Sequence, residues 1–237
     1  MKYFNLHTHK STNQPNVLEV VNQYPQEFEG TIPYYSIGIH PWHIVAERVE
    51  ADLAIIESKL KEKNCLAVGE CGLDKRIEIA MELQQTVFEK QLLLAQKYNK
   101  PVIIHCVAAF QEVIATKKKL NSTVPMLIHG FSKNAQVAKQ LVDNGFYLSF
   151  GKCLMSNPAL EAVFKAVPTD RIFLETDTIK EGIETVYELA AKYKGVSVAE
   201  MQELVNQNFN TVFNQINFNY GRVDRKSGTF IQKRRFR

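Results

Sequence analysis

The stretch Asn99-Lys100-Pro101-Val102-Ile103-Ile104-His105-Cys106 places a chain breaker, an apolar run and a polar residue in that order. Pro101 cannot continue a helix, and the residue before a proline is pushed toward extended backbone, so any helix ends ahead of it. Val102-Ile103-Ile104 is apolar and β-branched throughout, the composition of a strand buried on both faces. Upstream, amphipathic spacing predicts a helix over residues 78–98, itself preceded by a second apolar run at residues 65–69. The unit reads strand, helix, strand. Strands that are apolar on both faces and joined by helices belong to a parallel sheet.

The same alternation extends in both directions. Apolar runs at residues 3–9, 17–21, 34–39, 126–129, 146–150 and 172–175 bring the expected strands to eight. Amphipathic helices are expected at 47–63, 109–120, 133–144, 157–167, 181–193 and 198–214, the last behind the cap candidate Ser197. Eight alternating units imply an α/β protein with a (β/α)8 TIM-type barrel. Only seven residues separate the first two runs, and Pro25 and Gly30 interrupt the next connection, so the barrel should be distorted on that side. With no repeat or linker before the C-terminal stretch, residues 1–217 are expected to form one barrel domain and residues 218–237 a basic tail.

Charge separates these two parts. The tail carries seven Lys/Arg and one Asp, whereas the remainder carries 22 basic and 24 acidic residues. The net charge of +4 is therefore a property of the tail. A basic tail with interleaved aromatics (Phe218, Tyr220, Phe230, Phe236) suits contact with nucleic-acid phosphates through its Lys and Arg side chains; the alternative is a solvated terminus. No apolar run approaches the roughly 18 residues of a membrane span, and no signal pattern opens the chain, so a cytoplasmic location without membrane partners is expected. Cys65, Cys71, Cys106 and Cys153 lack CxxC spacing and are expected as free, buried thiols.

Parallel barrels carry their chemistry at the C-terminal ends of the strands. Here those ends read Asn5-Leu6-His7-Thr8-His9, Gly38-Ile39-His40-Pro41-Trp42-His43, Gly69-Glu70-Cys71-Gly72-Leu73-Asp74, Ile104-His105-Cys106, Ile128-His129-Gly130 and Leu174-Glu175-Thr176-Asp177. All six histidines of the chain fall in this set. Period-two alternation points His7 and His9 the same way, and does the same for Glu175 and Asp177. Glu70 follows a wholly apolar run, where a carboxylate needs a metal or a basic partner. Four histidines with two carboxylates exceed one tetrahedral ion. A pair of divalent ions about 3.5–4 Å apart, sharing a carboxylate, accounts for the surplus and suggests hydrolysis of a phosphoester or amide. Imidazole and carboxylate ligands suit zinc or manganese and, less well, magnesium.

The ordered motifs HxH, GIHP, GECGLD, PVIIH, HGFS and ETD resemble the TatD family of metal-dependent deoxyribonucleases, over residues 2 to about 214. The resemblance implies that His7, His9 and Asp177 hold one ion, that His105 and His129 hold the other, and that Glu70 bridges them. It also implies that Asp177 orients the attacking water and that His40 lines a substrate phosphate site. His43, off the strand end, and Lys75 are further candidate substrate contacts. DNA or another phosphate ester is the implied substrate. The chain departs from the family pattern at Asn5, where an acid is usual, after Cys106, where an arginine is missing, and in a short loop after Asp177. Two alternatives stay open. One is a small-molecule phosphoesterase or amidase of a neighbouring HxH barrel; the other is a nucleic-acid-binding protein with weak catalysis.

Overall fold

A computed structural model describes residues 3–213. Eight strands run β1 Tyr3–Thr8, β2 Val17–Gln23, β3 Tyr35–Ile37, β4 Cys65–Asp74, β5 Val102–Val107, β6 Met126–Ile128, β7 Phe146–Phe150 and β8 Ile172–Leu174. Every neighbouring pair is parallel and the spatial order equals the chain order. The ring closes where the Asp177 amide donates to the His7 carbonyl at 2.9 Å and the His9 amide to the Asp177 carbonyl at 3.3 Å. The expected TIM-type barrel is thus the observed one. Its distortion also falls where expected: no helix joins β1 to β2, and only a single 3-10 turn, Pro25–Glu27, interrupts the path from β2 to β3. The basic tail lies outside the described residues.

Among the described residues, eight α-helices surround the barrel: α1 Val49–Lys59, α2 Met81–Tyr98, α3 Phe110–Lys119, α4 Ala135–Asp143, α5 Lys152–Ser156, α6 Leu160–Ala166, α7 Ile183–Lys194 and α8 Val198–Val212. Ser197 and Glu200 form a reciprocal capping box at the start of α8. The helix expected at 157–167 begins instead at Leu160, behind the separate short turn α5. Pro158 forces Asn157 into extended backbone (φ −125°, ψ 97°) and so breaks the run.

The seam between β1 and β8 is covered by α7 and α8. Tyr187 of α7 donates its hydroxyl to the Phe4 carbonyl at 2.9 Å and accepts from the Phe4 amide at 3.1 Å. These two bonds satisfy backbone groups that short β8 leaves unpaired. Phe209 of α8 lies 4.6 Å from the Phe4 ring.

The sequence expectation ended β4 at residue 69, but the strand continues to Asp74. Two glycines allow this. A Cβ on Gly69 would stand 2.4 Å from the Ile103 carbonyl oxygen, and one on Gly72 would stand 2.0 Å from that of His105. Both glycines also hold positive φ, +138° and +148°, which side chains rarely adopt. β4 therefore presses against β5 where Glu70 must meet His105. All four cysteines are free, but only Cys65 and Cys71 are fully buried; Cys106 and Cys153 are half-buried.

Candidate metal centre

Glu70 occupies the centre of the C-terminal rim. It is 3% exposed, and its amide donates to Asn22 Oδ1 of β2 at 2.7 Å. Its two oxygens face different partners. Oε1 lies 2.7 Å from His129 Nε2, 3.0 Å from His105 Nδ1 and 3.1 Å from His40 Nε2. Oε2 lies 3.4 Å from His7 Nε2 and 3.8 Å from His9 Nε2. Asp177 Oδ1 completes the second side, 3.4 Å from His9 Nε2 and 3.9 Å from His7 Nε2. Among the described residues, Glu70's ion-pair partners are all histidines.

The donor set fits divalent metal. His7 is fully buried, and neither of its ring nitrogens has a hydrogen-bond partner. Leaving such a buried polar atom unpaired costs about 1–3 kcal/mol, a cost that ligation of a cation removes. Three sets of side chains offer ligand atoms within 4.8 Å of one another: His7, His9 and Asp177; His7, Glu70 and His129; and His40, Glu70 and His105. His40 therefore stands among the candidate ligands as well as beside any substrate.

Electrostatics follow from this crowding. Burial pushes the Glu70 carboxyl upward, but His129 and hydrogen bonds to His105, His129 and His40 outweigh it and hold it well below the usual range. Asp177 is also held low: burial opposes this, and His9, His7 and His129 overcome it. Burial lowers His129, but Glu70 and Glu175 raise it well above the ordinary imidazole value. His9 is raised, first by its hydrogen bond with Asp177. His40 is lowered by burial. His7 is pushed down to about 4, first by burial and then by neighbouring His129.

These shifts give chelator-treated protein a signed pH dependence. Unfolded His7 protonates near 6.5 and folded His7 near 4, so the unfolded chain binds the extra proton between those values. Stability must fall as pH drops through that window, by about 3 kcal/mol. His40 acts with the same sign. His9 and His129, shifted upward, are protonated in both states at the acid end and add little slope there. Urea unfolding of the metal-free protein at pH 6.5 and pH 4 measures the loss, and His7→Gln should remove most of it. An equal slope in that variant would assign the effect elsewhere.

Two carboxylates stand behind the imidazoles. Glu175, fully buried, accepts from the Gly130 amide at 2.7 Å and lies 3.5 Å from His129 Nδ1. Asp74 Oδ2 lies 3.4 Å from His105 Nε2 and accepts from Trp42 Nε1 at 2.8 Å, while Oδ1 accepts from the Arg76 amide at 2.8 Å. A carboxylate on the far nitrogen of a ligating histidine fixes its tautomer and orientation. Asp74→Asn should weaken metal affinity about 10- to 100-fold, as read by competition with a chromogenic chelator; unchanged affinity would reduce Asp74 to a prop for the loop.

Asn5, in the family's acidic position, donates to Thr176 Oγ1 at 2.8 Å and accepts from the Thr176 amide at 3.0 Å. It uses both halves of an amide to tie β1 to the end of β8. Asp177, one residue further on, holds a left-handed backbone with φ +52°. His43 is exposed beside Tyr24, its ring 5.6 Å from that of His40. Lys75 is not brought into the cluster: its ammonium is engaged by Glu112 of α3. Sequence reasoning quoted Asp74 without assigning it a role and passed over Asn22. Asp74 could have been found, since it shares Glu70's strand parity; nothing in the β2 sequence marks Asn22. Two openings flank the cluster. A cavity of about 610 Å³ includes His9, Lys10, Asp177 and Lys180 in its wall, and a smaller one of about 140 Å³ includes Tyr24, His40, His43 and Arg48.

Fold and cluster together define a (β/α)8 barrel with an imidazole–carboxylate centre on its C-terminal rim. The family model of TatD-related DNases matches residues 2–214, and the chain belongs to this family. It is 34% identical over 148 residues to the uncharacterized metal-dependent hydrolase YabD of Bacillus subtilis, covering 61% of this chain and 58% of that protein. It is 35% identical over 154 residues to an uncharacterized metal-dependent hydrolase of Haemophilus influenzae, with the same coverage of 61% and 58%. The chain thus spans less than two thirds of the length of these curated relatives. The crystal structure of YjjV, a TatD homologue from Escherichia coli, superposes with a TM-score of 0.76 at 21% identity, over 90% of this chain and 98% of that one. No helix among the described residues is long and apolar enough to cross a membrane.

Proposed function

We propose that the protein is a divalent-metal-dependent hydrolase of phosphodiester bonds, acting as a deoxyribonuclease with two ions. The observation that carries this is Glu70, whose two oxygens face two separate imidazole sets. His7, His9 and Asp177 would hold one ion, His105 and His129 the other, and Glu70 both. When bound, such a pair acidifies water and offsets charge on the phosphoryl oxygens.

The chain's own groups do the rest. Asp177 is held ionised, and its side chain, 21% exposed, reaches the mouth of the site, so it can orient a water and take its proton. Glu70 stays ionised and buried, and keeps the imidazoles converged. His40, kept neutral by burial, accepts the Trp42 amide at Nδ1 and points its one N–H, at Nε2, toward Glu70, so it would line the phosphate site rather than donate to it, with His43 beside it at the rim. Lys75 would add a rim charge only by leaving Glu112. The barrel, residues 1–217, would be the catalytic unit. Residues 218–237 would add attraction to a polyanion without touching the chemistry.

The test is an assay of metal-depleted full chain resupplied with zinc, manganese or magnesium, alongside elemental analysis. Single-stranded DNA with a free end, a small phosphate monoester and a small amide serve as substrates. Metal-dependent loss of terminal nucleotides, with about two equivalents of metal bound, is the expected result. Turnover of only the small ester or the amide would replace the deoxyribonuclease assignment. DNA binding without hydrolysis under any of the three metals would leave a binding protein.

A further inference from the structure

The chain has one tryptophan, and it stands at the rim of the metal centre. Trp42 lies in the 3-10 turn Pro41–His43 that follows β3. The residue is 57% exposed, yet its ring is not loose. The indole N–H donates to buried Asp74 at 2.8 Å, and the Trp42 amide donates to His40 Nδ1 at 3.1 Å. The ring meets His40 edge-on at 5.1 Å and His105 at 5.8 Å. An isolated exposed apolar residue needs no explanation. An indole locked by a buried carboxylate, packed against two imidazoles of the site and still open to water, is different: its orientation is held in advance of any ligand.

We propose that Trp42 stacks the nucleobase next to a phosphodiester at the metal centre, so that this chain favours substrates carrying a base at that position over ringless phosphate esters. The proposal rests on the phosphodiesterase function above. The indole borders the imidazoles directly, and in a nucleotide a single sugar separates base from phosphate. A stacking platform accepts any base, because every base offers a π-face. It also selects for ends, since inside a duplex both faces of a base are already covered, whereas a terminal or unpaired base has an open one. The polar partners of Trp42 are spent on fixing its plane, so the platform reads the ring and not its edge.

Because there is one tryptophan, indole emission of the full chain reports this residue alone. Metal-loaded protein is titrated with a short phosphorothioate oligothymidylate and with an abasic oligomer of equal length and charge. Saturable quenching by the first and little by the second is the expected result. In parallel, Trp42→Ala should lower the selectivity for oligothymidylate over the abasic oligomer, as a ratio of kcat/KM, by about ten-fold, and Trp42→Phe should restore most of it. Equal quenching by both oligomers, quenching by neither, or an unchanged ratio in Trp42→Ala overturns the proposal. An emission change with protein concentration alone would make the ring a contact between copies of the chain and overturn it as well. If neither oligomer is hydrolysed, the phosphodiesterase function fails, and the fluorescence titration still decides whether bases stack.

Discussion

Glu70→Gln is expected to strip the centre of divalent metal and abolish hydrolysis together. The substitution preserves shape but removes the charge that five imidazoles approach, His7, His9, His40, His105 and His129. An amide presents one oxygen, so it cannot serve both sides of the cluster as the carboxylate does. Bound metal should fall from about two equivalents to below one, and kcat/KM by at least about 1,000-fold, equivalent to about 4 kcal/mol. The metal-free fold should weaken too. His129 loses the nearer of its two carboxylates, and breaking one partner of a buried ion pair costs about 3–5 kcal/mol. Elemental analysis with steady-state kinetics reads the first effect, and urea unfolding of chelated protein reads the second. Two full equivalents retained in the variant would remove Glu70 from the bridging role.

Asp177→Asn separates chemistry from fold. Asp177 occupies the left-handed region at φ +52°. Asparagine tolerates that region as readily as aspartate, so the backbone strain is unchanged. The amide oxygen can still accept from His9, and the side chain reaches solvent, so little packing is lost. What disappears is the anionic base at the mouth of the site. Turnover should fall by about 100- to 10,000-fold, while the melting temperature moves by only a few degrees. Near-normal kcat would show that another group handles the water. A collapsed melting temperature would show that the residue serves the barrel seam instead.

The two variants also mark where sequence reading reached its limit. Strand–helix alternation exposed the barrel because burial on both faces leaves a wholly apolar run, and that run is visible without any partner. Ligand-capable residues at the ends of those runs exposed the site, since in a parallel barrel all such ends share one rim. Helix boundaries near 157–167 were less legible: the pattern showed an apolar face but not the break that Pro158 imposes. Glu175 and Asp177 could not be told apart by parity. Their separation came from the third dimension, where Glu175 sits behind His129 and Asp177 faces His9.

By itself the sequence determined the barrel, its irregular first crossovers and the pool of candidate ligands, because these depend on local composition and on strand ends that the fold must gather. Only the tertiary structure decided which oxygen of Glu70 meets which histidine, that Asp74 backs His105, that Lys75 is held by Glu112, and that Trp42 is fixed at the rim. Those are distances between residues from different strands and loops, the close approach of β4 to β5 at Gly69 and Gly72 among them, and no spacing along the chain encodes them.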